Sequence, residues 1–449
     1  MPFTHLHVHS HYSILDGMSK VPDLIDKCQR TGMNAMALTD HGNMYGIKDF
    51  LDYAKKVNSR AANRLKDCQS EIAKLQKQID SIAQLENSLQ TEQDAHERET
   101  IEQKLREARK AATDLPAYEA QLPTLQKQAD EYVPFKPIVG VEAYCARRSR
   151  HMKEKGFKQM TGEGKEIIVD RSGWHLILLA KNKTGYYNLC RIVSLSFIEG
   201  FYDRPRIDKE LLEQYHEGLI CSSACLGGEL PQLILKGQIN KAEESIEWFK
   251  KIFGDDYYIE LMRHRTDKPN ADTTVYEKQQ RVNPVLIELA KKHGVKIICT
   301  NDAHFVEEEH AEAHDRLICL NTGKNIDDHN RMHYTKQEWL KTPEQMQAIF
   351  SDLPEAISNT QEIADKVEVY DIDSAPIMPL FDIPSEFGTE EEYHRRFTRE
   401  DLFEEFTRDE HGNEVMNREE GEKKIQKLGG YDRLYRIKFE ADYLAKLTW

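Results

Sequence analysis

No run of residues in this chain approaches the roughly 18 consecutive apolar positions of a membrane-spanning helix. The N-terminus, Met1-Pro-Phe-Thr-His5, has no basic stretch leading into an apolar one, so a secretory signal peptide is not expected. Cysteine is sparse, with 8 scattered through 449 residues. That excludes a disulfide framework and fits a reducing, cytoplasmic setting with no membrane partner. Positive charge is in deficit: 62 Lys and Arg stand against 77 Asp and Glu, a net charge of −15. An acidic chain does not coat nucleic acid indiscriminately, although one local DNA site remains open to it. No Gly-x-Gly-x-x-Gly follows an apolar run, so a dinucleotide-binding fold has no support.

Glycine is absent from Ala61 to Glu131, where Ala, Glu, Lys, Leu, Gln and Arg dominate. Leu65, Ile72 and Ile79 recur at intervals of seven, and Cys68, Leu75, Ile82 and Leu89 fill the second seam position. Ile101, Ala108, Leu115 and Leu122 repeat the interval after the polar stretch Gln90 to His96. The spacing predicts an antiparallel, coiled-coil helical hairpin. Its charge-rich surface fits a solvated spacer better than a partner-binding arm. Pro116 and Pro123 predict a kink, or a restart capped by Asp114, because a mid-helix proline costs roughly 3 kcal/mol.

Around this segment, strand-like and helix-like patterns alternate. Strands are expected at Phe3–Val8, Ala35–Leu38, Pro137–Val141, Leu176–Ala180, Gly218–Cys221, Tyr257–Leu261 and Lys296–Cys299. Helices are expected at Pro22–Gln29, Met44–Val57, Gly185–Ser196, Lys241–Phe253 and Asn283–Lys292. About seven βα units point to an α/β barrel or an open doubly wound sheet. Beyond Lys324, helices are expected at Thr342–Phe350 and Leu353–Val367, then an irregular linker at Pro376, Pro379 and Pro384. Glu386 to Trp449 is charged and mostly helical, and ending inside the helical run Tyr431–Thr448 suggests a chain cut from something longer.

Eighteen histidines include a cluster, His5-Leu-His7-Val-His9-Ser-His11. Alternate residues of a strand share a face, so four imidazoles begin on one side, followed by Asp16 in a turn. Metal-ligand residue types recur at other strand ends: Thr39-Asp40-His41-Gly42, Glu142 after Val141, Cys225, and Asn301-Asp302-Ala303-His304. In α/β folds those ends build the active site. His175 differs, since it precedes most of its apolar run. The mixed N, O and S donors suit Zn, Mn or Fe, and their number suits two or three ions. Clustered divalent ions activate water and clamp a phosphoester, so metal-assisted phosphoester hydrolysis is the expected chemistry.

His7-x-His9, Asp16, Thr39-Asp40-His41-Gly42, Gly140-x-Glu142, His175-Leu176, Cys225 and Asn301-Asp302-x-His304 resemble the motifs of the PHP (polymerase and histidinol phosphatase) family. His5-Leu-His-Val-His-Ser-His-Tyr-Ser-Ile-Leu-Asp-Gly17, Phe135-Lys-Pro-Ile-Val-Gly-Val-Glu-Ala-Tyr144 and Gly200-Phe-Tyr-Asp-Arg-Pro-Arg-Ile-Asp208 narrow the likeness. They are similar to the PHP domains of bacterial replicative (C-family) polymerases, the DNA polymerase III alpha subunits. The likeness covers most of the chain outside the hairpin.

The resemblance implies a distorted seven-stranded β/α barrel. It implies metal positions at His7, His9, Asp16, His41, Glu142, His175, Cys225, Asp302 and His304, with Asp16, Glu142, Asp302 and His41 nearest the chemistry. The implied layout is barrel over 1–58 and 134–325, hairpin insertion over 59–133, helical extension and linker over 326–384, and the start of a thumb and palm region over 385–449. The activity implied is 3′→5′ proofreading exonuclease, attached to a DNA-directed DNA polymerase whose own Mg2+-dependent catalytic aspartates lie farther along the family's chain. Implied partners are a DNA primer–template, a proofreading exonuclease, the sliding clamp and the clamp loader. Asp40 is expected to orient His41; Arg206 and His264 are candidates to meet phosphate, although a surface salt bridge or a core hydrogen bond is the favoured role of each. Two alternatives share the motifs: a metal-stabilised scaffold docking a separate proofreading subunit, and a small-molecule phosphatase.

Overall fold

The computed structural model describes residues 2–153, 158–160, 166–168, 173–328, 330–377, 381–409 and 411–448. Pro379 and Trp449 lie outside the described residues. The chain divides into two compact units, Met1–Ile372 and Asp373–Trp449.

In the first unit a curled, mostly parallel sheet carries β1 (Ala35–Leu38), β2 (Lys136–Cys145), β5 (Trp174–Ala180), β6 (Arg206–Ile207), β7 (Leu219–Ser222), β8 (Tyr257–Leu261) and β9 (Lys296–Cys299). A separate ribbon pairs β3 (Lys158–Met160) with β4 (Glu166–Ile168). The main order is β1-β2-β5-β7-β8-β9, with the short β6 also on β2. Phe3–Val8 is not a regular strand. It closes the ring through single bridges, His5 to Met36 on one side and Val8 to Ala303 on the other. Backbone bonds from Ala37 N to His5 O and from His9 N to Ala303 O, each 2.8 Å, fix its height in the barrel.

β5 departs from the βα alternation. It runs antiparallel to both β2 and β7, whereas β1–β2, β2–β6, β7–β8 and β8–β9 are parallel. Its beginning therefore lies where its neighbours end. Tyr144 near the end of β2 pairs with His175 at the start of β5. The strands carry continuous buried runs, such as Ile138, Val139 and Val141 on β2 and Leu176 to Ala180 on β5, as expected for a sheet covered on both faces.

Helices flank the sheet. Val21–Arg30 turns Val21, Leu24, Ile25 and Cys28 inward, and Ile239–Phe253 does the same with Ala242, Ile246, Phe249 and Phe253. The helix expected to start at Asn283 begins instead at Thr274 and carries Pro284 inside it. Gln279 and Asn283 reward the extra turns: Gln279 Oε1 accepts the His264 N–H at 2.7 Å, and the Asn283 amide donates to the Met262 carbonyl at 2.9 Å. Two helices too short for a clear period, Lys209–Tyr215 and Glu229–Leu235, and the 12-residue Ala311–Thr322 are not among the helices expected from the sequence.

The helix expected to end near Val57 does not end there. Ile47–Asp80 runs on without interruption, Ile82–Thr91 follows, and Ala95–Asp130 returns. Cys68 and Leu75 are buried on the outgoing arm, Leu105, Ala108 and Ala111 on the return. The expected kink or restart at Asp114 is absent, since both prolines sit within one continuous helix whose cap is Asp94. Pro116 and Pro123 are exposed, as are residues 112 and 119, whose carbonyls lose their partners and are free to meet water. Where the arms rejoin the barrel, the Asn58 side chain takes both backbone groups of Phe135, accepting from its N–H at 2.7 Å and donating to its carbonyl at 2.8 Å. Phe135 precedes the start of β2, so the insertion leaves the barrel at the end opposite Glu142.

The second unit is helical, with Glu390–Arg396, Arg399–Thr407, Arg418–Leu428 and Tyr431–Thr448. Leu402, Phe403, Ile425, Leu434 and Tyr435 form its core.

Asn58→Ala leaves two backbone groups of Phe135 without partners. It is expected to lower stability by about 1–3 kcal/mol, read as a drop in the thermal or urea midpoint of the first unit's unfolding.

Candidate metal centre

The N-terminal segment supplies two imidazoles to the barrel mouth. His7 and His9 are fully buried, and each is held by its Nδ1. His7 Nδ1–H donates to Glu260 Oε1 at 2.8 Å, and His9 Nδ1–H donates to Ser13 Oγ at 2.9 Å. Both tautomers therefore leave Nε2 as the free lone pair. His5 and His11, expected on the same face, do not join them. His5 lies one strand repeat deeper, about 6.6 Å along the chain. Its Nε2–H donates to the Lys341 carbonyl at 2.8 Å, and burial lowers its pKa to about 4. The alternation fails at His11 because the segment turns after His9, and His11 Nδ1 meets the Ser19 carbonyl at 3.3 Å.

The loop after β1 delivers His41, pinned by a bridge to Glu142. Gly42 adopts φ +62, and a Cβ there would lie 2.8 Å from Pro205 and 3.0 Å from Tyr144. β5, being antiparallel, brings His175 to the same mouth, and the β7 loop brings Cys225. Gly227 lets the His175 ring approach, since a Cβ would meet it at 3.0 Å. Ala224 and Asp302 hold φ values of +58 and +47. Left-handed non-glycine residues cost of order 1–3 kcal/mol each, and these two adjoin or carry mouth ligand atoms. His304 Nδ1–H donates to the Asp302 carbonyl at 2.8 Å, which again frees Nε2.

All nine side chains converge. His7 Nε2 lies 3.1 Å from Asp302 Oδ1 and 3.4 Å from Glu142 Oε1. His9 Nε2 lies 3.1 Å from Asp302 Oδ1 and 3.7 Å from Glu142 Oε2. Asp16 Oδ1 lies 3.2 Å from His41 Nε2 and 3.8 Å from His304 Nε2. Glu142 Oε1 lies 2.7 Å from His175 Nδ1 and 3.8 Å from Cys225 Sγ, and its other oxygen meets His41 Nδ1. Among the described residues, three donor groups overlap: His9, His41 and His304; His7, His9 and Glu142; and Glu142, His175 and Cys225.

Several of these atoms are buried with no hydrogen-bond partner: Nε2 of His7, His9 and His304, Nδ1 of His41, and one oxygen each of Asp16, Glu142 and Asp302. An unpaired buried polar atom costs about 1–3 kcal/mol. Seven together, three carboxylate oxygens and four imidazole nitrogens facing one space, fit divalent cations.

The electrostatics keep the carboxylates ionised and His9 neutral, while the carboxylates favour protons on His7 and His41 that bound cations would displace. Burial alone would raise the Asp302 carboxyl, but His7, His304 and His9 hold it far below its usual range. Burial likewise opposes the ionisation of Glu142, and His175, His41 and His7 overcome it. Burial, together with His41 and His304, pushes His9 down to about 3, so it is a neutral imidazole. Burial also works against a charge on His7, but Asp302, Glu260 and Glu142 raise it well above its ordinary value.

The residues that orient these donors carried no motif. Glu260, fully buried on β8, accepts from His7 Nδ1–H and from the hydroxyls of Ser222 (2.6 Å) and Thr300. A charged residue inside the apolar run Tyr257–Leu261 was its one signal in the sequence. Tyr334 donates its hydroxyl to Asp16 Oδ2 at 2.8 Å, and His314 Nε2–H donates to the Asp16 carbonyl at 2.7 Å. Asp40 makes no hydrogen bond to the His41 ring. It accepts from Ser10 N–H and from Ser13 Oγ–H, and Ser13 Oγ in turn accepts from His9 Nδ1–H and from the His41 backbone N–H at 3.1 Å, so Asp40 steadies both histidines through Ser13. Arg206 does not face a ligand either. It is fully buried and donates to the carbonyls of Gly200, Arg150 and Met152. His264 is also buried, with its Nε2 3.2 Å from the Asn301 carbonyl.

A curled β/α sheet whose strand ends gather an imidazole–carboxylate cluster defines the class. Residues 5–264 match the PHP domain, and the chain belongs to that family. It is also 36% identical over 402 residues to the DNA polymerase III subunit alpha of Borreliella burgdorferi, covering 89% of this chain and 27% of that protein. The subunit of the same name from Treponema pallidum is 34% identical over 405 residues, covering 90% of this chain and 26% of that protein. The one from Thermus aquaticus is 32% identical over 414 residues, covering 89% and 25%. The chain thus spans about a quarter of the length of these relatives. No helix among the described residues is long and apolar enough to cross a membrane.

Glu260→Gln removes the charge behind His7 while keeping its shape. Divalent-metal affinity is expected to fall about 10–100-fold, measured by competition with a chelator, with the circular dichroism spectrum unchanged.

Proposed function

We propose that the barrel mouth binds two or three divalent cations, drawn from Zn, Mn or Fe, and hydrolyses phosphodiesters at a DNA 3′ end in the service of replication. The observation that carries this is the set of partnerless buried donor atoms on His7, His9, Asp16, His41, Glu142, Asp302 and His304. Those residues, with His175 and Cys225, would hold the cations. Bound divalent metal supplies Lewis acidity and an activated water to a phosphoester.

The chain's own groups do the positioning. Glu260 and Ser13 fix the tautomers of His7 and His9, while Tyr334 and His314 fix Asp16. Glu142 belongs to two donor groups and so ties the ends of the cluster together. A cleft of about 710 Å³ opens over the mouth, lined by Asp16, His41, His175, Cys225, Asp302 and His304. Its size is that of a site for a small ligand, roughly 300–1,000 Å³, and it admits a strand terminus more readily than a duplex. The relatives' name, DNA polymerase III subunit alpha, supports a role beside DNA synthesis. We take the primer–template, the clamp and clamp loader, and the Mg2+ of polymerisation to belong to the whole replicase.

Metal-loaded protein is expected to shorten a 5′-labelled single strand from its 3′ end, and a chelator to stop it. His9→Ala or Asp302→Asn is expected to slow shortening by roughly 100-fold or more, the scale of losing a positioned catalytic group. Bound metal without shortening would leave the barrel as a scaffold. Faster turnover of a phosphomonoester than of DNA would favour a small-molecule phosphatase.

The same cations are expected to stabilise the fold. At a free concentration 100 times the dissociation constant, one site adds about 2.7 kcal/mol, seen as a rise in melting temperature that His7→Ala diminishes.

A further inference from the structure

The cleft walls bear more than metal-type donors. Arg204 is the one Lys or Arg among the cleft-lining residues, in company with Asp16, Asp203, Asp302 and Glu338. Among the described residues no carboxylate pairs with it. Its guanidinium stands 6.0 Å from the centroid of the Tyr144 ring, and that ring stacks with the His41 imidazole at 6.2 Å and 25°. Arg204, Tyr144 and a mouth histidine are thus in consecutive contact. The backbone is bent to present it: Asp203 adopts φ +69, and Tyr202 N–H donates to the Arg204 carbonyl at 3.0 Å. Strain of this kind in a non-glycine residue gathers at ligand sites.

Beside it the rim is aromatic. Tyr45 and Phe197 line the cleft and are 60% and 37% exposed, and their rings are 6.4 Å apart. Phe201, 50% exposed, stacks on Phe197 at 6.3 Å and 23°. Scattered exposed rings need no explanation, but three in contact at the edge of a charged cleft form a patch.

We infer that Arg204 and the Tyr45–Phe197–Phe201 ledge form a single-strand subsite, in which Arg204 takes a backbone phosphate entering the mouth and the ledge stacks bases of the same strand. The inference rests on the reading of the mouth as a phosphodiester site. Three features favour an unpaired nucleic-acid strand. A guanidinium fork matches phosphate geometry. Aromatic faces stack any base without reading sequence. The cation is single among acidic neighbours, so it seats one phosphate at one register and does not attract a polyanion along its length.

The test is the fluorescence anisotropy of a 5′-labelled oligothymidylate titrated with metal-loaded protein across a salt series, run beside an assay of terminal-nucleotide release. Arg204→Ala is expected to weaken binding about tenfold and to lower the slope of log affinity against log salt by about 0.7, the value for one phosphate contact on a single strand. Arg204→Lys is expected to restore the slope and part of the affinity. Phe197→Ala and Tyr45→Ala are each expected to weaken binding about 5-fold or more, the lower end for one base stack, with the salt slope unchanged. Binding indifferent to all of these variants overturns the subsite, whatever the release assay shows. Binding that responds to them while no nucleotide is released overturns the hydrolytic reading and leaves the subsite standing.

Discussion

Glu142 and the imidazoles around it are where the structure concentrates its electrostatic burden. A fully buried carboxylate is costly unless paired, and here His7, His9, His41 and His175 all have a ring nitrogen within 4 Å of it. Asp16 and Asp302 repeat the theme on either side. Protons on His7 and His41 serve part of this set, and the proposed divalent cations would serve all of it. The surrounding structure makes sense as the apparatus that holds these lone pairs inward: Glu260 behind His7, Ser13 behind His9, the Asp302 carbonyl behind His304, and Tyr334 and His314 behind Asp16.

Reversal of one strand is what completes the ring of donors. Were β5 parallel to its neighbours, His175 would sit at the far end of the barrel from Glu142. Running antiparallel, it pairs His175 with Tyr144 and brings the same His175 beside Cys225, its Nδ1 3.5 Å from the sulfur. The insertion of Asp80's long helix and its partner uses the opposite end of the barrel. Asn58 replaces a stretch of backbone pairing there, so a long excursion of chain returns to β2 in register with Glu142. Lengthening a surface connection adds little closure entropy, and the mouth is unaffected by it.

Some of this was legible beforehand. β8 and β9 lie at the residues their apolar runs marked, Tyr257–Leu261 and Lys296–Cys299. The residues proposed as ligands were visible because metal-ligand types recur after apolar runs. What was hidden has physical reasons. The proline rule misplaced a restart near Asp114, since water can meet the exposed carbonyls that lose their partners, and the helix expected from Asn283 begins earlier, at Thr274, where Gln279 bonds the His264 backbone. Asp40, next to His41 in sequence, acts on His41 and His9 alike through Ser13, because a turn brings Ser10 and Ser13 across to it. Arg206 takes the core hydrogen-bonding role favoured for it over phosphate contact, donating to three backbone carbonyls, while its neighbour Arg204 lines the cleft.

The sequence by itself determined which side chains are able to hold metal and which segments are able to form buried strands, because residue chemistry and apolar periodicity are local properties. Tertiary structure alone decided which nitrogen of each histidine faces inward, which carboxylate stands behind it, and that His175 belongs with the rest. Those outcomes depend on strand direction and on contacts between residues hundreds of positions apart, such as His7 with Glu260 and Asp16 with Tyr334, and no local pattern encodes them.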